Sequence, residues 1–186
     1  MAKRLCVSMG FCAFACILGW YDPGVLGWFF VGLVCHELGH VITLLIFRIP
    51  IYEVNLRLTG AVIRHGFCSY RQEFLCAAAG PLANGLLCLF LKRQYPELAI
   101  LSGLMGLANL LPVFPLDGGR MLRTVLLFRL EEENVSRIME HLAFFVCCML
   151  MVGACCLASI WQVGVWPIFT ALIILWRVGN ASRASL

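Results

Sequence analysis

Apolar positions fall along this chain in blocks too long to be the buried faces of soluble helices. Leu5 to Trp20 follows Lys3-Arg4, and the small residues Ala13-Phe14-Ala15 lie inside the block rather than after it. That order predicts a short membrane helix that stays, not a cleaved leader. Tyr21-Asp22-Pro23-Gly24 is a turn, with Asp22 a turn residue rather than a ligand. The next block, from about 24 to 47, would be ~36 Å long as a helix, enough to cross a ~30 Å hydrocarbon core. Arg48 and Pro50 close it.

The pattern then changes. Between Ile51 and Gly66, Val54, Leu56 and Leu58 alternate with Asn55, Arg57 and Thr59, the period of two that marks a strand. Gly60 permits a turn and Ala61 to Arg64 returns as a second strand. A hairpin cannot lie bare in lipid, because its edge groups would be unsatisfied. It belongs at the interface or in a protein-lined cavity.

Helical blocks resume from about Glu73 to Leu91, with Ala77-Ala78-Ala79-Gly80-Pro81-Leu82-Ala83-Asn84 inside. Small residues allow close helix approach in a membrane, and Pro81 should kink the helix. From 98 to about 130 the chain predicts one interrupted crossing. Pro112, Pro115, Gly118 and Gly119 break it, Asp117 lies in the break and Asn109 just above. Glu131-Glu132-Glu133-Asn134 begins the next helix, where carboxylates suit the N-terminal dipole. Helices from about 141 to 160 and 165 to 177 complete the expected fold: an all-α membrane protein with six transmembrane helices and an interfacial β-hairpin after the second. The chain reads as one integral membrane domain over 1–186, its core at about 24–130, with no CBS or PDZ domain.

Composition agrees. Of 186 residues, 62% are hydrophobic and 13% charged, against about half and a quarter in soluble domains. The net charge of +4 is spread over loops with no aromatic-interleaved basic patch, which excludes nucleic acid as a partner. Most of the eleven cysteines lie inside apolar blocks and no C-x-x-C pair occurs, so packing explains them better than disulfides or a cysteine metal site. With the N-terminus in the cytoplasm and six alternating crossings, twelve basic residues face the cytoplasm and two, Lys92 and Arg93, face out. Both termini are then cytoplasmic.

Within the second block stands His36-Glu37-Leu38-Gly39-His40. One helical turn sets the two imidazoles on one face, ~6 Å apart at Cβ, the separation at which they can share a tetrahedral Zn²⁺. Glu37 can then reach the activated water as general base. Ionisable groups in hydrocarbon are expensive, so the trio reads as a functional site. Depth adds a third donor. The midpoint of His36 and His40 lies ~15 Å above Arg48, and Asp117 lies ~20 Å above Leu130. Asp117 becomes the third ligand, leaving a fourth position open, as in catalytic zinc sites. Asn84 is either interhelical glue or a substrate ligand. His65 and His141 are structural.

H-E-L-G-H, A-A-G-P-L-A-N and N-L-L-P-V-F-P-L-D-G-G-R, in that order, resemble the site-2 protease family of intramembrane zinc metalloproteases, and most of all its sporulation-type members. Three ordered motifs over about 24–130 make the resemblance specific. It implies one Zn²⁺ on His36, His40 and Asp117, Glu37 as the base, and Asn84 assisting substrate or the developing oxyanion. The implied substrate is a pro-sigma factor or other membrane-tethered regulator, cleaved in or near its membrane segment. The implied partners are that protein substrate, membrane inhibitors and the lipid bilayer. The implied location is the cell membrane, with the active site opening toward the cytoplasm. The competing classes are a non-proteolytic metal carrier and a helix-binding chaperone. A carrier needs a polar path through both leaflets, and the outer helix halves nearly lack ionisable groups.

Overall fold

The computed structural model describes residues 4–7, 16, 19, 20, 22–57 and 60–160. The chain forms two compact units, Met1–Leu110 and Leu111–Leu186.

The first unit contains a three-stranded sheet in the order β1 (Arg4–Val7), β2 (Ile51–Arg57), β3 (Gly60–His65). β2 and β3 pair antiparallel, Val54 opposite Ile63 and Leu56 opposite Ala61, as the period of two predicts. Residues 58 and 59 lie outside the described residues. β1 was not expected. It runs parallel to β2, with Arg4 opposite Glu53 and Val7 opposite Leu56, so residues 4–7 are not the start of a membrane helix. The reason is the exposed edge of a lone hairpin: β2 has a second row of backbone donors and acceptors to satisfy. Most of the remainder of that predicted first helix lies outside the described residues.

Helix α1 (Pro23–Ile46) begins where Asp22 accepts hydrogen bonds from the Gly24 and Val25 amides, with Pro23 in the first turn. It ends at Arg48, whose φ of 56° turns the chain into the left-handed region and away from the helix axis. One face, Gly32, Leu33, His36, His40 and Leu44, is buried. The opposite stripe, Val34, Leu38, Ile42 and Leu45, is exposed. An outward apolar stripe around a buried polar pair inverts the soluble pattern and calls for lipid.

Helix α2 (Tyr70–Leu91) starts three residues earlier than expected, because Ser69 and Gln72 form a capping box. It continues through Pro81 as one helix. Helix α3 (Pro96–Asn109) completes the first unit; at 14 residues it is ~21 Å long and too short to span alone. Leu44, Ile49 and Cys76 form a core against which Ile51, Ile63 and Cys68 pack, joining the end of α1, the hairpin and α2.

The second unit holds α4 (Asp117–Leu127) and α5 (Glu132–Ile160). Asp117 opens α4 rather than lying in an irregular break, and Gly118 and Gly119 are helical. Gly119 is there for space: a Cβ on it would stand 2.5 Å from the Val113 carbonyl oxygen. The acidic start of α5 and the apolar segment from 141 to 160, expected as separate, are one continuous helix of 29 residues. No proline interrupts it. Val113, Leu116 and Ala143 form this unit's core.

The protein is therefore a mostly helical membrane protein with a small sheet, not an all-α one. Among the described residues three helical segments are long and apolar enough to span, Pro23–Ile46, Tyr70–Leu91 and Glu132–Cys156. The predicted last crossing, 165–177, lies outside the described residues.

Candidate metal centre

His36 and His40 stand on the buried face of α1, about 5% exposed each. Their Nε2 atoms are 3.3 Å apart. Two nitrogens at ~2.0–2.1 Å from one tetrahedral Zn²⁺ are themselves ~3.3 Å apart, so the pair needs little adjustment to chelate. His40 is oriented from behind: its Nδ1–H donates to the Cys76 carbonyl at 2.7 Å, which leaves Nε2 as the lone-pair atom. A histidine that gives one N–H to a carbonyl and turns the other nitrogen inward is the usual arrangement around a metal.

Asn84 on α2 is fully buried, with its amide Nδ2 placed 3.2 Å from His36 Nδ1. His36 can offer Nε2 to a cation only if Nδ1 carries the proton, and that proton needs an acceptor. With the amide plane turned so that Oδ1 faces the ring, Asn84 supplies it, and Oδ1 has no other hydrogen-bond partner. Its contact is with a ligand's ring, which makes it a positioning residue.

Two glycines bring α2 this close. A Cβ on Gly39 would meet the Ala79 carbonyl oxygen at 2.5 Å, and a Cβ on Gly80 would stand 2.7 Å from His36 Nε2 and collide with His40 Nε2. The main chain of α2 therefore covers the imidazole pair, leaving a cradle that a methyl group would fill. The cradle and the Nε2 spacing both fit a bound divalent cation. The sequence offered the small-residue run Ala77–Gly80 as a packing signal but nothing that assigned Gly80 to the histidines. Glu37 is half-buried on the same helix turn.

In the second unit Asp117 is 6% exposed at the first position of α4, where the helix dipole favours a carboxylate. Arg120 Nη1 lies 3.3 Å from Asp117 Oδ1, an i,i+3 pair the sequence analysis did not single out. His36 and His40 in the first unit and Asp117 in the second are each buried, and two imidazoles with a carboxylate are the donor types that zinc takes. Asn109 donates to the Met105 carbonyl of its own helix, and His141 Nδ1 pairs with the Arg137 carbonyl one turn back.

Comparison with known proteins agrees in class. Residues 91–154 match peptidase family M50. A zinc metalloprotease of Methanocaldococcus jannaschii is 33% identical over 110 residues, 52% of this chain and 32% of that protein. Stage IV sporulation protein FB of Bacillus subtilis is 27% identical over 157 residues, 76% of this chain and 54% of that protein. The solved structure of the site-2 protease from Methanocaldococcus jannaschii has the same fold, with a TM-score of 0.74 over 98% of this chain and 92% of that one, at 21% identity. The resemblance to the site-2 protease family is borne out, and with it zinc as the implied cofactor. The matched stretch spans between a third and about half the length of these two curated relatives.

Proposed function

We propose that the chain is an intramembrane metalloendopeptidase that hydrolyses a peptide bond in or near the membrane segment of a membrane-associated protein. His36, His40 and Asp117 would hold one Zn²⁺. When bound, Zn²⁺ supplies a Lewis acid that polarises a carbonyl and makes water a nucleophile near neutral pH. Glu37 takes the proton of the attacking water and returns it to the leaving amine. Asn84 fixes the tautomer of His36, and the Cys76 carbonyl fixes that of His40. Arg120 holds one oxygen of Asp117 and so orients the other.

A transmembrane substrate hides its amides and must unwind before cleavage. β1 takes one edge of β2, and β3 has no further described strand beyond it. The outer edge of β3 is thus the place where a freed segment could add as a strand. By likeness to the Bacillus relative, whose name marks it as a sporulation protein, the substrate is a pro-sigma factor or a membrane-tethered regulator. Membrane inhibitor partners would hold such a protease in check. With six alternating crossings, the distribution of basic residues favours cytoplasmic termini and a site that opens toward the cytoplasm.

The observation that carries this reading is the buried imidazole pair with its Nε2 atoms at metal-chelating distance beneath a glycine backbone. The test is co-expression with candidate membrane-tethered transcription factors. Cleavage should appear with the native chain and vanish with Glu37→Gln, zinc content unchanged. Cleavage that persists in Glu37→Gln removes this mechanism.

A further inference from the structure

His65 was expected to be a lone interfacial histidine, and it is not alone. It ends β3, Cys68 follows in the connecting loop, and Glu73 lies in the first turn of α2. His65 Nδ1 is 3.4 Å from Cys68 Sγ, and Nε2 is 3.9 Å from a Glu73 carboxylate oxygen. One donor atom from each of the three lies within 4.8 Å of the other two. Around a tetrahedral Zn²⁺ the nitrogen, sulfur and oxygen donors stand ~3.3–3.6 Å apart, so the set closes when the Cys68 side chain swings from Nδ1 toward Nε2 and Glu73 draws slightly nearer.

The surroundings suit a cation. The His65 side chain is 18% exposed and that of Glu73 25%, sheltered yet open to entry. His65 Nδ1–H donates to the Gly66 carbonyl at 2.9 Å, which leaves Nε2 with its lone pair beside Glu73. The loop is held from both sides: the Gly66 amide donates to the Pro50 carbonyl at 2.9 Å, and Ser69 is locked into its capping box with Gln72. Imidazole, thiolate and carboxylate together select a zinc-like borderline cation over calcium or magnesium, which take oxygen ligands.

We propose that His65, Cys68 and Glu73 form a second metal site, a three-ligand site for a Zn²⁺-class cation with water in the fourth position. Binding displaces the Cys68 thiol proton to solvent and clips the end of β3 to the start of α2. The site is independent of the centre built on His36 and His40, which contains no sulfur.

Cobalt(II) distinguishes the two. The full chain, purified in detergent and titrated with Co²⁺ alone, should develop a near-ultraviolet thiolate-to-cobalt band. Cys68→Ser should abolish that band while helical circular dichroism is retained. Glu73→Gln should weaken the cobalt dependence of the band by about tenfold or more, and this half-buried variant stands in if Cys68→Ser folds poorly. A folded native chain without the band, a band that survives Cys68→Ser, or a midpoint unmoved in Glu73→Gln overturns the proposal. None of these readouts depends on proteolysis.

Discussion

His40 and His65 each give Nδ1–H to a main-chain carbonyl, that of Cys76 at 2.7 Å and that of Gly66 at 2.9 Å. Beyond that shared device they part. The partners of His40 are set by a helix: His36 one turn back, with a second helix laid over both. Those of His65 come from a strand end, a loop and a helix start. The first arrangement is deeply buried and rigid, and the second is sheltered but accessible. A helical repeat writes its geometry into residue spacing, whereas a strand–loop–helix corner does so only once folded. The comparison predicts that the first centre tolerates almost no change and that the second can be altered alone.

The largest effect should come from Glu37→Gln. Loss of a general base costs about 10²–10⁴-fold in rate, measured as cleavage of a co-expressed substrate, with bound zinc unchanged. Gly80→Ala follows: a methyl facing both Nε2 atoms should abolish stoichiometric zinc, read by elemental analysis, and reduce stability by about 1–3 kcal/mol. Equal zinc in Gly80→Ala would remove the claim that the α2 backbone covers the pair. Asn84→Ala should weaken zinc binding by about 10–100-fold in competition with a chelator. The thiolate–cobalt signal assigned to Cys68 should not move in that variant, and a joint change would show that the two sites are one coupled system. Smallest of all, Ser69→Ala removes the cap of α2 and should lower stability by about 1 kcal/mol, seen as a modest drop in melting temperature.

Much of this was legible beforehand because helices and hairpins have periods. The 24–47 block emerged as Pro23–Ile46, and the alternation around Val54 and Leu56 as β2. The H-E-x-x-H spacing placed His36 and His40 together for the same reason. What escaped depended on contacts that no simple period announces. Residues 4–7 look apolar enough for a helix, and only the unpaired edge of β2 makes them a strand. Gly118 and Gly119 looked like breakers, yet the tight approach to the Val113 backbone requires glycine within α4. Cys68 lies outside the long apolar blocks, and no periodic pattern along the chain brings Glu73 and His65 to it.

The cover that Gly80 provides has one more implication. Side chains beside a metal centre can be exchanged by mutation, but here one side of the histidine pair is covered by peptide backbone at a residue with no room to vary. Any retuning of what fits beside the two histidines, by evolution or by design, has to be done from the remaining sides. Libraries aimed at altered selectivity should leave Ala79-Gly80 untouched and randomise other positions around the two histidines.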